Sequence, residues 1–206
     1  MKFIGIIPAR GGSKAVPKKN TKLLNRKPLI EYTIESALKA KILDRIIIST
    51  DCNEIARISK KYNNVEVIIR PDEISTDTSK TEDALIHVCD ELESNGYYAD
   101  YVLTLEPTSP FRTSKTIIKT IDLIKNKSID SVVAVVEEKG VLGKIEKERF
   151  NHIFPNQPRR RQDRRGIYKE ASTIYATSVN ILRNKKSVIG NNVYPIVVHG
   201  NESHDI

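Results

Sequence analysis

The chain has 206 residues, 39 % hydrophobic and 29 % charged, which suits one domain with a buried core and excludes a collagen-like or low-complexity chain. Lys and Arg number 34 against 26 Asp and Glu, a formal net charge of +8. That excess attracts anions without choosing among nucleotides, acidic sugars, nucleic acid and membrane surfaces.

The elements follow in chain order. Residues 3–8 form an apolar run ending in Pro-Ala-Arg-Gly-Gly, with no small-residue cleavage site, so they read as a first strand rather than a signal peptide. Helical spacing follows over residues 28–41. Residues 45–50 (RIIIST) predict a second strand, 53–62 a helix, and 65–70 (VEVIIR) a third strand closed by Pro71. Residues 81–95 place Leu85, Val88 and Leu92 at helical spacing, with Gly96 as the stop. A fourth strand is expected at 101–105, a helix after an N-cap at Ser114, and a fifth strand at 131–136. Such alternation predicts an α/β fold, a Rossmann-like and mainly parallel sheet flanked by helices on both faces. No apolar run approaches the roughly 20 residues of a membrane span. Cys52 and Cys89 are too few for a disulfide framework, so a cytoplasmic location is expected.

Residues 137–170 lose this regularity and are polar and basic. They read as an excursion, a hairpin or arm, within one domain spanning 1–206. The chain then returns through 174–182 and 193–199. Arg159, Arg160, Arg161, Arg164 and Arg165 fall within seven residues. No stacking aromatics are interleaved with them, so nucleic acid is not the expected partner, and neither is a membrane.

Ligands of such folds bind beyond the carboxyl ends of the strands. The loop after the first strand, residues 8–20, holds Gly11, Gly12 and four cations: Arg10, Lys14, Lys18 and Lys19. Glycines let backbone N–H groups approach an anion, and Arg and Lys add charge-assisted bonds to phosphate oxygens. The loop is neither a Walker A motif nor a Gly-x-Gly-x-x-Gly fingerprint.

Ala9, Arg10, Ser13, Lys14, Lys19 and Asn20 match the Ala-Arg-x-x-Ser-Lys…Lys-Asn motif of the acylneuraminate cytidylyltransferases, the family of CMP-sialic acid and CMP-nonulosonic acid synthetases and their Kdo-activating relatives. The chain resembles that family in three further places: Ile48-Ser49-Thr50-Asp51; Arg70-Pro71 with Ser75, Asp77 and Ser79; and Leu105-Glu106-Pro107-Thr108-Ser109-Pro110-Phe111-Arg112. The resemblance implies a nucleotide-diphospho-sugar transferase type of fold and transfer of CMP from CTP to a 2-keto-3-deoxy sugar acid, with release of pyrophosphate. It implies nucleotide contacts from Ala9, Arg10, Gly11, Ser13, Lys14, Lys19, Asn20, Arg70, Ser79 and Thr81, with Arg10 and Lys19 catalytic. Arg70 equally suits a strand-end salt bridge, and Ser79 and Thr81 an N-cap.

The family's Ser-x-Asp-x-Asp pattern implies Mg²⁺ on carboxylates. Asp205 matches the first aspartate and is the expected catalytic metal ligand; the second position lies past Ile206, leaving Asp51 or the Ile206 carboxylate as substitutes. By resemblance Glu106, Thr108, Ser109 and Lys169 meet the sugar. Glu106 stands where the family often has Gln, and Ala171-Ser172 where it has Asn-Gly, so an altered sugar preference is expected, legionaminic or pseudaminic acid before Kdo. The basic excursion matches an arm that packs on a second subunit, which implies a homodimer. A weakly catalytic nucleotide-binding homologue is the alternative these departures favour.

Overall fold

The computed structural model describes residues 1–13 and 16–206. Among the described residues eleven strands and five α-helices occur in chain order: β1 (Phe3–Pro8), β2 (Leu23–Leu24), β3 (Lys27–Pro28), α1 (Leu29–Ala40), β4 (Arg45–Thr50), α2 (Asn53–Ser59), β5 (Glu66–Ile69) and α3 (Thr81–Ser94) come first. After them run β6 (Tyr101–Thr104), α4 (Ser114–Asn126), β7 (Ser131–Glu138), β8 (Gly143–Glu146), β9 (Arg149–His152), β10 (Ile167–Ser178), α5 (Val179–Lys185) and β11 (Val193–Val197). A seven-stranded sheet has the order β11-β7-β10-β6-β1-β4-β5.

Alternation along β1 explains the two cores. Phe3 and Ile7 face one side of the sheet, where Ile30, Ile34 and Ala37 of α1, Ile55 of α2 and Ile117 and Ile121 of α4 cover them. Ile4 and Ile6 face the other, under Leu85, Val88 and Leu92 of α3 and Leu182 of α5. Each fully buried Ile or Leu contributes about 1.5–3 kcal/mol relative to exposure. Both faces are therefore apolar, which is why the strand reads as an unbroken hydrophobic run.

The sheet is parallel except at β10, which runs antiparallel to both β6 and β7. Residues 139–166 between β7 and β10 contain no crossover helix, only the β8–β9 hairpin and a short 3-10 turn, Arg161–Asp163. Without a crossover the chain folds straight back, and an antiparallel pair results. Strand β10 begins at Ile167 and ends at Ser178, after which α5 takes the residues expected to continue as strand. Helix α4 is capped by Thr113, whose Oγ1 accepts the Thr116 N–H at 3.3 Å, and not by Ser114. Lys80, not Ser79 or Thr81, is the N-cap of α3, and its backbone N–H donates to Asp83. Gly96 ends the α3 segment with φ +77, as expected of a helix stop. Among the described residues no helix is long and apolar enough to cross a membrane.

Candidate nucleotide and acceptor site

The chain order turns back at β1: β4 and β5 lie on one side of it, β6 on the other. This is a topological switch point, where the loops leaving two neighbouring parallel strands diverge and open a crevice. The loop after β1 and the loop after β6 diverge here, and between them lies a cleft of about 280 Å³.

Seven of the ten expected nucleotide contacts line that cleft: Arg10, Ser13, Lys19, Asn20, Arg70, Ser79 and Thr81. Gly12 and Lys80 join them. Local bonds hold the walls. Asn20 Nδ2 donates to the Arg10 carbonyl at 3.0 Å, tying the end of the loop to its start. Arg10 reaches across to the opposite rim, where its guanidinium donates to the Thr76 carbonyl at 2.9 Å and Asp77 Oδ1 at 2.8 Å. Ser79 Oγ accepts the Thr76 N–H at 3.0 Å and shapes the same rim. Buried Arg70 donates to Ser49 Oγ at 3.2 Å and the Ser49 carbonyl at 2.9 Å. Burial holds its pKa below the usual arginine value, against the pull of Asp51 and Glu106. Lys19 Nζ meets the Ile206 carbonyl at 2.8 Å.

The loop glycines behave differently from the expectation. The Gly11 N–H is committed to Asp51 Oδ1 at 2.7 Å and is not presented to the cleft. Its lack of a side chain answers a packing demand, since a Cβ there would sit 2.9 Å from Cys52 Cβ. A Cβ at Gly12 would meet nothing within 4 Å among the described residues outside its chain neighbours. Ala9 is fully buried, its N–H bonded to the Ser49 carbonyl at 2.9 Å, so it supports the loop from below. Lys14 lies outside the described residues.

A second cavity of about 370 Å³ adjoins the first and shares Thr81, Glu106 and Thr108 with it. Its other lining residues include Glu82, Ser172, Tyr175 and Asp205. Asp205 Oδ2 accepts from Ser172 Oγ at 3.3 Å. Tyr175 is raised to about 12 by burial, with Glu170 beside it. Two expected sugar contacts are elsewhere. Ser109 is buried with its hydroxyl unpartnered, and it lines neither cavity. Lys169 pairs with Val136 in the outer part of β10, exposed and away from both cavities.

With this geometry in place, the sequence comparison is decisive: the profile of the family described as Cytidylyltransferase matches residues 4–191. The chain belongs to that cytidylyltransferase family. It is 34% identical over 197 residues to a CMP-N,N'-diacetyllegionaminic acid synthase of Legionella pneumophila, covering 90% of this chain and 82% of that one. It is 39% identical over 119 residues to a pseudaminic acid cytidylyltransferase of Campylobacter jejuni, covering 58% and 51%. An N-acylneuraminate cytidylyltransferase of Escherichia coli is 38% identical over 124 residues, and the match spans only 28% of its length. Among solved structures, a CMP:2-keto-3-deoxy-manno-octonic acid synthetase complexed with CTP superposes with a TM-score of 0.72 at 17% identity, covering 96% of this chain and 90% of that one. A 4-diphosphocytidyl-2C-methyl-D-erythritol synthase reaches 0.74 at 11% identity, covering 100% and 92%. At these identities the two structures establish the nucleotidyltransferase fold.

Glu106 belongs to both cavities of this candidate site. Burial pushes its pKa from 4.5 up to about 7, and Asp205 adds to the rise, while Arg112, Arg70 and Lys19 oppose it. Arg112, whose motif was read without a role for it, is the support. Its buried guanidinium donates to the carbonyls of Glu106 (2.7 Å) and Thr173 and to Thr33 Oγ1 at 3.3 Å. It therefore joins the β6–α4 loop to β10 and α1. Burial lowers its pKa to about 10. Sequence reasoning missed Arg112, Glu82 and Tyr175; the only advance signal was the Arg that closes the Pro-Thr-Ser-Pro-Phe-Arg run.

Residues for a magnesium ion fit in part. Among the described residues no three His, Cys, Asp or Glu side chains come together as a metal cage. Mg²⁺ bound with nucleotides needs only one or two carboxylates, the phosphates and water filling its shell. Asp205, at the wall of the cavity next to the nucleotide cleft, is an oxygen donor of that kind.

Proposed function

We propose that this protein joins CMP from CTP to a nonulosonic acid, a 2-keto-3-deoxy sugar acid of the sialic-acid type, with release of pyrophosphate. The observation that carries the reading is the pair of adjoining cavities at the switch point, one walled by Arg10, Lys19 and Arg70, the other by hydroxyls and carboxylates. The named activities of the Legionella and Campylobacter relatives support it.

In this reaction the sugar's anomeric hydroxyl attacks the α-phosphorus and pyrophosphate departs. Negative charge grows on the phosphate oxygens. Lys19 and Arg10 supply cations to it, and Ser13 and Asn20 orient the nucleotide; fixed donors of this kind lower the barrier because they need no reorganisation. Arg70, Ser79 and Thr81 border the ribose and base end. Asp205 is the residue that would hold Mg²⁺, which when bound neutralises phosphate charge. The Arg10–Asp77 contact is then one that the triphosphate displaces.

The protein is proposed to work in the cytoplasm, supplying activated sugar for cell-surface polysaccharide, and as a homodimer. Support for the dimer comes from the exposed apolar side chains of the β8–β9 arm, among them Ile145, Phe150 and Phe154. Light scattering of the intact chain tests that part.

Lys19→Ala tests the reaction itself. Pyrophosphate release from CTP plus a nonulosonate is expected to fall about a hundredfold or more, by analogy with loss of a preorganised donor. Unchanged kinetics in a folded variant contradicts the phosphate role. CTP binding without turnover on a panel of sugar acids favours the weakly catalytic homologue instead.

A further inference from the structure

Residues 202–206 cross the seam between the two cavities with little packing to hold them. His204, Asp205 and Ile206 are exposed, and none of the three joins either hydrophobic core. His204 makes an edge contact with the ring of Phe111. Polar bonds set the path instead. The Ile206 N–H donates at 3.0 Å to the carbonyl of Thr108, a residue of both cavities. The Ile206 carbonyl takes Lys19 Nζ at 2.8 Å, and Asp205 Oδ2 takes Ser172 Oγ at 3.3 Å. The stretch therefore carries a carboxylate of one cavity and touches a cation of the other.

Glu202 fastens this stretch at its start. Its Oε1 accepts the Thr113 N–H at 2.8 Å and the Thr116 hydroxyl at 2.6 Å, both at the N-terminus of α4. Its carbonyl accepts the hydroxyl of buried Thr173 at 2.6 Å. Thr173 gives its own carbonyl to Arg112, and Arg112 precedes Thr113 in the chain. Glu202, Thr173, Arg112 and Thr113 thus close a ring that joins residues 202–206 to β10 and the β6–α4 loop. A carboxylate at a helix N-terminus meets free N–H groups and the positive end of the helix dipole, which favours the clamp. Helix α4 has a cap without it, since Thr113 Oγ1 accepts the Thr116 N–H. Glu202 lines neither cavity. The effect of its carboxylate falls on the residues that follow it.

Resting on the transferase reading above, we propose that Glu202 is a positioning residue for the transfer: its clamp on α4 fixes residues 203–206 so that Asp205 stands at the cavity wall and the Ile206 carbonyl aims Lys19 into the nucleotide cleft. An ammonium has three N–H donors. One given to Ile206 leaves two for phosphate oxygens, on a side chain whose flexible stem otherwise swings freely. Fixing it in advance removes reorganisation at the moment of transfer. A loosened clamp displaces the cation and the carboxylate together, and small misplacements of such groups are felt in the chemical step.

Glu202→Ala removes the clamp, whereas Glu202→Gln keeps an oxygen that accepts the same two bonds. Pyrophosphate release from CTP and a nonulosonate is followed with excess Mg²⁺, at a temperature where every variant is folded. Expected for Glu202→Ala is a kcat about tenfold or more below the parent. Its KM for CTP changes by less than about threefold, because Arg10, Asn20 and Arg70 are held by other bonds. Glu202→Gln restores most of the loss. Thr116→Val deletes one of the two donors and lowers kcat in the same direction; it decides in place of the Ala variant should that one fail to fold. A residue that only stabilises the fold moves the urea midpoint and leaves kcat per folded molecule alone. A kcat within about twofold of the parent overturns the proposal, as do equal losses in the Ala and Gln variants or a rise in KM alone. If the parent turns over no sugar, Mn²⁺ titration of the protein holding CTP, read by electron paramagnetic resonance, decides. Mn²⁺ binding about tenfold weaker in Glu202→Ala but not in Glu202→Gln upholds the positioning role and removes the transfer reading. Mn²⁺ binding that is absent, or equal in all three proteins, overturns the role.

Discussion

Replacing Glu106 by Gln isolates the energetic consequence of burying a carboxylate between two cavities. In the native protein its pKa is pushed from 4.5 to about 7. The native state therefore keeps a proton that the unfolded chain releases between those two values. Stability contributed by this group is fully present below pH 4.5, falls as pH rises through the window, and is lost once pH passes about 7. At about 1.4 kcal/mol per pH unit the full loss is about 3 kcal/mol. Gln fills the same volume and does not titrate. The stability of Glu106→Gln relative to the parent is thus expected to rise by about 3 kcal/mol between pH 4 and pH 8, with half of the change near the middle of that span. Urea unfolding of both proteins at intervals of pH, without CTP, measures it. A difference that stays level across the range refutes the argument, since it means the carboxylate is as well solvated or as well paired in the fold as in the open chain.

Arg112→Met removes a guanidinium shared by the β6–α4 loop, α1 and β10 and leaves the Glu106 and Thr173 carbonyls buried without donors; a loss of about 3–5 kcal/mol in urea unfolding is expected, and a loss under about 1 kcal/mol contradicts its bridging role. Gly11→Ala drives a methyl into Cys52 and should destabilise by about 1–3 kcal/mol, whereas Gly12→Ala meets nothing within 4 Å and should leave the thermal midpoint in place. Cys89 is buried against α5, and burial pushes its thiol up to about 12; thiol titration should therefore find only Cys52 reactive in the folded protein, with Cys89 appearing on denaturation.

Where local pattern and tertiary demand agree, the fold was readable from residues alone. The strands at 3–8 and 45–50 have the bounds their apolar runs predict, because residues buried on both faces leave an unbroken signature. The direction of β10 was not readable. It depends on the absence of a crossover helix across residues 139–166, and an irregular basic stretch does not announce how it returns. In the candidate site, the cations and hydroxyls after β1 and β5 do meet at one cleft, because strand ends deliver them there. Arg112 was overlooked and Ser109 lines neither cavity for one shared reason: which way a loop side chain turns is settled by its neighbours in space; Lys169 instead lies in the outer part of β10, whose direction the sequence did not reveal. Arg112 turned inward to bind three elements, and Ser109 went under the loop with it.

The ladder between β10 and β7 is interrupted between Glu170 and Tyr175. In that gap Ser172 lines the second cavity and the Thr173 carbonyl takes the Arg112 guanidinium. The outer end of the strand is thereby uncoupled in register from the inner end. Additions or deletions in the arm up to Glu170 can be absorbed before they reach the cavity wall. A single residue added at 171–174 has no such slack, and it would rotate the wall and its arginine anchor together. Length changes are thus tolerated in the arm and costly at those four positions, where wall and anchor share one short segment.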